Sequence, residues 1–245
     1  MKKLFLQALF LLGLCVVPEI SRAGFLDDML KEVGVSKSSS AADALDENTV
    51  AKGLKEALAT GTGRAVATVS KQDGYFGNQA IRILMPENLR YAADLLSKFG
   101  FQKEVDEFVL SMNRAAEKAA PKAAGHFMAA LKAMTFDDAR KILQGDDTSA
   151  TEYFRQKSGK DIYASFKPII STSLHDVGAV QSYKHMMEKF NSIPFAGSMI
   201  SFDLDDYVAN KAVEGLFSMV GDEEKNIRAN PAARGTELLK KVFGK

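Results

Sequence analysis

Few side chains in this sequence could do nucleophilic or acid–base work, and they are scattered. The chain has three histidines and one cysteine in 245 residues. Ser173, His175 and Asp176 include the three residue types of a hydrolytic triad. A triad is a spatial convergence, however, which neighbouring positions do not supply, and no Gly-x-Ser-x-Gly elbow accompanies them. His185 and Glu188 stand three apart, so a helix would set both on one face as half of a metal site. No second histidine pair and no thiolate offers the other half, and a solvated or locally paired His–Glu is the better account. His126, between Gly125 and Phe127, reads as a core-edge residue. Asp203, Asp205 and Asp206 lack the glycine and distal glutamate of a calcium loop, and fit the positive end of a helix dipole instead. These residues point to no catalytic group, no metal ligand and no cofactor.

Two polar segments are better candidates for binding. Gly74, Gly77 and Asn78 form a glycine-rich loop without the Lys-Ser/Thr of a phosphate-binding loop or the strand-to-helix setting of a dinucleotide fingerprint. Arg82 follows between Ile81 and Ile83. A guanidinium there must point outward, find a carboxylate or meet an anionic ligand, and structural pairing is the favoured outcome. In Met112 to Lys118, Asn113 and Glu117 share a helix face, as do Arg114 and Glu117. A ligand-binding site lined by Asn78, Arg82, Asn113, Arg114 and Glu117 exists only if the two segments meet in space. Met112, Met128, Met134, Met186, Met187, Met199 and Met219 could adapt to an apolar guest between helices, though at helical spacing methionine is more often core.

The elements that must position these residues are helical almost throughout. Val50, Leu54, Leu58, Ala65 and Val69 keep the spacing of one helix face, with Gly53, Ala57 and Gly61 on an adjacent stripe that admits a close neighbour. A loop over Lys71 to Asn78 leads to Ala80–Met85, a short segment that reads as extended, and Pro86 opens a helix ending at Phe99 before Gly100. Val105 to Ala119 carries the next helix, which Pro121 interrupts before it resumes through Leu131. Thr135 and Asp138 predict a capping box for a short helix ended by Gly145. A further helix is predicted to stop at Gly159, and another over Ile162–Leu174 to kink at Pro168, with Gly178 following. Val180–Phe190, a long helix capped by Asp203, and a last one capped by Thr236 complete an all-α, irregular multi-helix bundle with Pro/Gly-interrupted helices.

The N-terminus predicts export. Met1-Lys2-Lys3 precedes an apolar run from Leu4 to Val17, Pro18 breaks it, and Ser21-Arg22-Ala23 supplies small residues for cleavage. The run falls short of the roughly 20 apolar residues of a membrane span. The expected organisation is a signal peptide over 1–23, a lead-in over 24–45 and a single helical domain over 46–245, with no transmembrane segment in the mature chain. The alternative is a lipid anchor on Cys15, although Leu14 before it is larger than such sites prefer. Cleavage removes Lys2, Lys3, Arg22, Glu19 and Cys15, taking 32 basic and 31 acidic residues to 29 and 30. A chain with net charge −1 and no thiol has no electrostatic means of holding nucleic acid, no disulfide and no cysteine ligand.

Several segments resemble a known bacterial family. Asp73-Gly74-Tyr75-Phe76-Gly77-Asn78 leading into Arg82-Ile83-Leu84-Met85-Pro86 is one hallmark, and Met112-Asn113-Arg114-Ala115-Ala116-Glu117 is a second. Met134 to Ala139, with Ile142-Leu143 and Ala150 to Phe154, is a third. Leu204 to Val208, Gly215 to Phe217, Glu223-Glu224 and Ile227 to Pro231 make the fourth, and the chain closes on Leu238 to Gly244. Together they resemble the family known as domain of unknown function 4197, from about Leu45 to Phe243. Leu84-Met85 departs from the Pro-Leu more usual there. The resemblance implies an exported, helical, single-domain protein with no assigned activity, so it brings no functional residues. The leading expectation is a non-enzymatic binding or interaction module of the cell envelope, located in the periplasm, whose partner is an envelope protein or a small apolar or anionic ligand. Alternatives are a carrier for an apolar or amphipathic ligand held between helices, and a metal-independent hydrolase.

Overall fold

The apolar face that begins near Val50 is realised as helix α1, Glu47–Val69, with Leu54, Leu58, Ala65 and Val69 buried. The computed structural model describes residues 47–176, 179–192 and 203–229. The expected signal peptide with Cys15, the lead-in, Gly178, Met199 and the final helix capped by Thr236 lie outside the described residues. After α1 come α2 (Glu87–Lys98), α3 (Gln102–Ala119), α4 (Ala123–Ala133), α5 (Phe136–Gln144), α6 (Ser149–Asp176), α7 (Ala179–Ser192) and α8 (Leu204–Ala229). The fold is all-α, and no strand occurs among the described residues.

Helix ends follow local chemistry. Pro86 stands at the N-cap of α2 with φ −55° and ψ 145°, a conformation its ring favours. At the other end Gly100 has φ +87°, a left-handed conformation that side chains disfavour. The Phe101 N–H donates to Leu96 O at 2.9 Å and the Gly100 N–H to Ser97 O at 3.2 Å, which satisfies two terminal carbonyls in a Schellman arrangement. A 3-10 turn over Ala120–Lys122, containing Pro121, leads α3 into α4. Thr135 and Asp138 form the predicted capping box of α5.

Two expectations need correction. Gly159 does not end a helix: α6 runs unbroken from Ser149 to Asp176 and contains both Gly159 and Pro168. Tertiary packing overrides the local preference, because Ile162, Phe166, Ile170 and Leu174 are fully buried along one face. A Cβ at Gly159 would lie 3.8 Å from the Phe217 ring, so that position abuts α8. The segment expected to be extended, Ala80–Met85, instead begins in a turn that runs through Ile81. Residues 82–86 have no regular structure, and a side chain of α3 supplies their partner.

Helix α6 packs against α8 and α3, and α1 crosses α8 and α4. Where α4, α6 and α8 meet, Phe127 lies edge-on to Phe154 at 5.2 Å and to Phe217 at 5.8 Å between centroids. Each such buried side chain contributes about 1.5–3 kcal/mol relative to exposure. The small-residue stripe of α1 serves close approach as predicted. Ala57 packs on Ile227, and a Cβ at Gly61 would come within 3.0 Å of Ile227 Cδ1. Met112, Met128, Met134 and Met186 are buried in the same core, while Met187 and Met219 pack at its margin.

Candidate functional site

The two polar segments singled out in the sequence meet. The chain between α1 and α2 folds back on itself through local bonds. The Gly74 N–H donates to Lys71 O at 2.9 Å, the Gly77 N–H to Asp73 O at 2.9 Å and the Arg82 N–H to Asn78 O at 2.8 Å. Asp73 takes a left-handed φ of 63°, tolerated by its short polar side chain. Gly74 is required for contact, since a Cβ there would sit 2.5 Å from Thr68 O and 2.6 Å from Val69 O.

Helix α3 clasps this loop with two buried side chains one turn apart. Asn113, fully buried, accepts from the Ile83 N–H at 2.8 Å and donates its amide to Ile83 O and to Val109 O, each at 2.8 Å. Its carboxamide does for Ile83 what a neighbouring strand would do. Glu117, also buried, accepts from the backbone N–H groups of Tyr75 at 3.1 Å and Phe76 at 3.2 Å through Oε1. Its Oε2 receives Arg114 Nη1 at 2.7 Å, and Arg114 Nη2 reaches Asp73 Oδ1 at 2.7 Å. Partial burial opposes the Arg114 charge, but hydrogen bonds and the charges of Glu117 and Asp73 outweigh that and raise its pKa.

The far side of the loop is plugged into α8. Tyr75 is fully buried and donates its hydroxyl to Ala212 O at 2.7 Å. Burial, and then the Glu117 charge, push the phenol far above its usual range, so it stays a donor. A Cβ at Gly215 would stand 2.8 Å from Tyr75 Cε1, and only glycine lets the ring lie against that helix. Asn78 donates to Met219 Sδ at 3.4 Å and accepts from the Ala80 N–H at 3.1 Å. Arg82 is the exception within the cluster. Its guanidinium carbon lies 4.1 Å over the Phe76 ring, and its Nε is buried without a hydrogen-bond partner.

All five candidate residues are therefore gathered around one loop, but they do different work. Asn113, Glu117 and Arg114 have their hydrogen-bonding capacity committed to holding it. Arg82 does not.

Other constellations stay apart or turn out structural. Ser173 is buried with its Oγ unpartnered, whereas His175 and Asp176 are exposed and Asp176 pairs with Lys118 at 3.1 Å. His185 and Glu188 are both exposed on α7, and no group of three or more potential metal ligands is gathered among the described residues. Asp203 accepts from the Asp206 N–H at 2.9 Å, the capping role expected of it. Asp206 itself receives the Tyr163 hydroxyl and Lys167 Nζ, the latter at 3.2 Å, and these bonds lower its pKa in that order. His126 Nε2 meets Ser165 Oγ at 2.7 Å, a nucleophile–base distance. His126 stands in the first turn of α4 and Ser165 in the middle of α6.

Sequence reasoning missed a second clasp. Glu224 on α8, buried, accepts from the Ala150 N–H at 2.9 Å and from the N–H and hydroxyl of Thr151 at 2.8 Å. A carboxylate thus caps the start of α6 from another helix, where the dipole favours it. Arg228 pairs with Glu224 at 2.9 Å and donates to Ile142 O at 2.8 Å near the end of α5. The only signal in the sequence is the four-residue spacing of Glu224 and Arg228, which is common on solvated faces. Between α1, α5 and α8 the gap beside this pair holds no more than about one water.

Among the described residues no helix is long and apolar enough to cross a membrane. No curated protein and no solved structure matches the chain. A family model does, over residues 44–244, spanning the clasped loop, both Glu–Arg pairs and most of the core. The chain belongs to the family described as protein of unknown function DUF4197.

Proposed function

We propose that the protein is an exported, non-enzymatic interaction module of the cell envelope, working in the periplasm on another envelope protein. One observation carries the reading: the buried polar groups nearest to a site are spent on fixing a loop rather than left for chemistry. Asn113 and Glu117 hold the backbone of Tyr75, Phe76 and Ile83 through hydrogen bonds. The segment after the loop exposes Leu84, and the helix that follows, α2, exposes Tyr91, with Phe99 exposed just past its end. Rigid presentation of apolar side chains suits recognition, because little ordering entropy remains to be lost on binding. The basic, apolar, small-residue order at the N-terminus supports export.

Cell fractionation with N-terminal sequencing tests the location. A periplasmic protein beginning at Gly24 is expected, and a cytosolic product retaining Met1 contradicts export. A photo-crosslinking amino acid at Tyr91, compared with one at exposed Ala129 on α4, tests the surface. A discrete adduct at Tyr91 alone supports the reading, and adducts at neither or equally at both refute it.

A further inference from the structure

We infer that Arg82 is the recognition point of this module, receiving a carboxylate from an acidic, partly apolar segment of the partner protein. The inference rests on the interaction reading and specifies its chemistry.

Burial alternates along the stretch before Pro86: Ile81, Ile83 and Met85 are buried, Leu84 is exposed and Arg82 is half-buried. The backbone on both sides of Arg82 is pinned, by Asn78 O at its own N–H and by Asn113 at Ile83. Tyr207 donates its hydroxyl to Leu84 O at 3.0 Å, fixing the next residue as well. The guanidinium lies on Phe76, whose own N–H is held by Glu117. Stacking uses the face of the guanidinium and leaves the in-plane Nη donors for a fork-to-fork contact.

Electrostatics supplies the sign. Arg114, which also approaches Phe76 at 5.9 Å, is neutralised by Asp73 and Glu117. Arg82 has no ion pair among the described residues, and its buried Nε–H donates to no neighbour. A charge held in place, with no ion pair of its own and its conformation already ordered, gains more from an incoming carboxylate than a mobile surface arginine does. Leu84 alongside adds apolar contact, which fits a peptide carrying an acidic side chain next to an aliphatic one.

The test has two arms on protein purified from the envelope fraction. In the first, 15N-labelled protein is titrated with acetate and, separately, with inorganic phosphate at constant ionic strength. The guanidinium signal is assigned by its loss in Arg82→Lys. A saturable shift of Arg82 with acetate, exceeding that of exposed Arg90, is expected. A shift no larger than that of Arg90, or a response to phosphate alone, overturns the inference. In the second, crosslinking from Tyr91 is repeated with Arg82→Gln and Arg82→Lys, circular dichroism confirming that both fold. Adduct yield should fall about tenfold with glutamine and partly recover with lysine, as expected for loss of a charge-assisted contact. An undiminished adduct with Arg82→Gln defeats this inference alone, whereas no adduct in the unaltered protein defeats the interaction reading with it.

Discussion

Replacing Asn113 by alanine removes the side chain that hydrogen-bonds both the N–H and the C=O of Ile83, a residue 1 % exposed. Its N–H and C=O then lose their side-chain partner in a buried setting. Each buried, unsatisfied group costs about 1–3 kcal/mol, so the loss should be about 2–6 kcal/mol, with the lower half applying if a water enters. That is a large share of the roughly 5–15 kcal/mol that stabilises an ordinary domain. Asn113→Asp separates hydrogen bonding from volume. The shape is kept and the Ile83 N–H still has an acceptor, but an ionised carboxylate cannot donate. It would set a negative oxygen where an amide now meets Ile83 O and Val109 O at 2.8 Å. At neutral pH the aspartate should therefore be at least as destabilising as alanine. Urea unfolding at fixed temperature reads the loss as a lower midpoint with an unchanged slope, and amide exchange at Ile83 reads it locally. If both substitutions change stability by less than about 0.5 kcal/mol, the ordinary range for surface changes, the clasp does not hold the loop. Persisting protection of the Ile83 amide in Asn113→Ala would refute the reasoning equally.

Two further outcomes follow from geometry and charge. Gly215→Ala would drive a Cβ to 2.8 Å from the Tyr75 ring and 3.1 Å from Ile81 Cβ, and should cost about 1–3 kcal/mol in urea unfolding. Gly125→Ala, with nothing within 4 Å of the new atom inside α4, should stabilise by about 0.5–1 kcal/mol, and the reverse order would contradict the packing described. The Asp138 carboxyl is held below the usual range, first by the Thr135 N–H and then by its hydroxyl. A depressed folded-state pKa means that this stabilisation is complete above the unfolded value of about 3.9 and is lost as pH falls through the lower folded value. The stability gap between the unaltered protein and Asp138→Asn should accordingly narrow on acidification below about pH 4, and a gap that stays constant to pH 2 would contradict it.

Much of the helical framework was legible because its signals are local. Thr135 with Asp138, Pro86 and Gly100 mark helix ends through bonds made within a few residues, and each does so in the structure. The apolar face of α1 and its small-residue stripe likewise follow from spacing alone. Gly159 was misleading for a complementary reason. Its local weakness is real, but the buried residues from Ile162 to Leu174 and the Phe217 ring reward continuing the helix, and no window of sequence contains that gain. In the candidate site, the residue types of Asn113, Arg114 and Glu117 were conspicuous on an apolar helix, yet their partners lie 30 to 42 positions away. Glu224 caps a helix start 73 and 74 residues earlier, and nothing in its neighbourhood announces it.

The amino-acid order by itself determined that this chain is helical, where most of its helices begin and end, and which polar residues were too costly to bury idle. Periodicity and capping are short-range properties, and the chain carries them wherever it goes. Only the tertiary structure decided that the loop over Asp73–Met85 docks between α3 and α8, that Asn113 and Glu117 become its backbone partners, and that Arg82 alone among the cluster keeps an unmatched charge. Those outcomes depend on which distant groups arrive opposite one another, a matter of long-range packing that spacing along the chain does not encode.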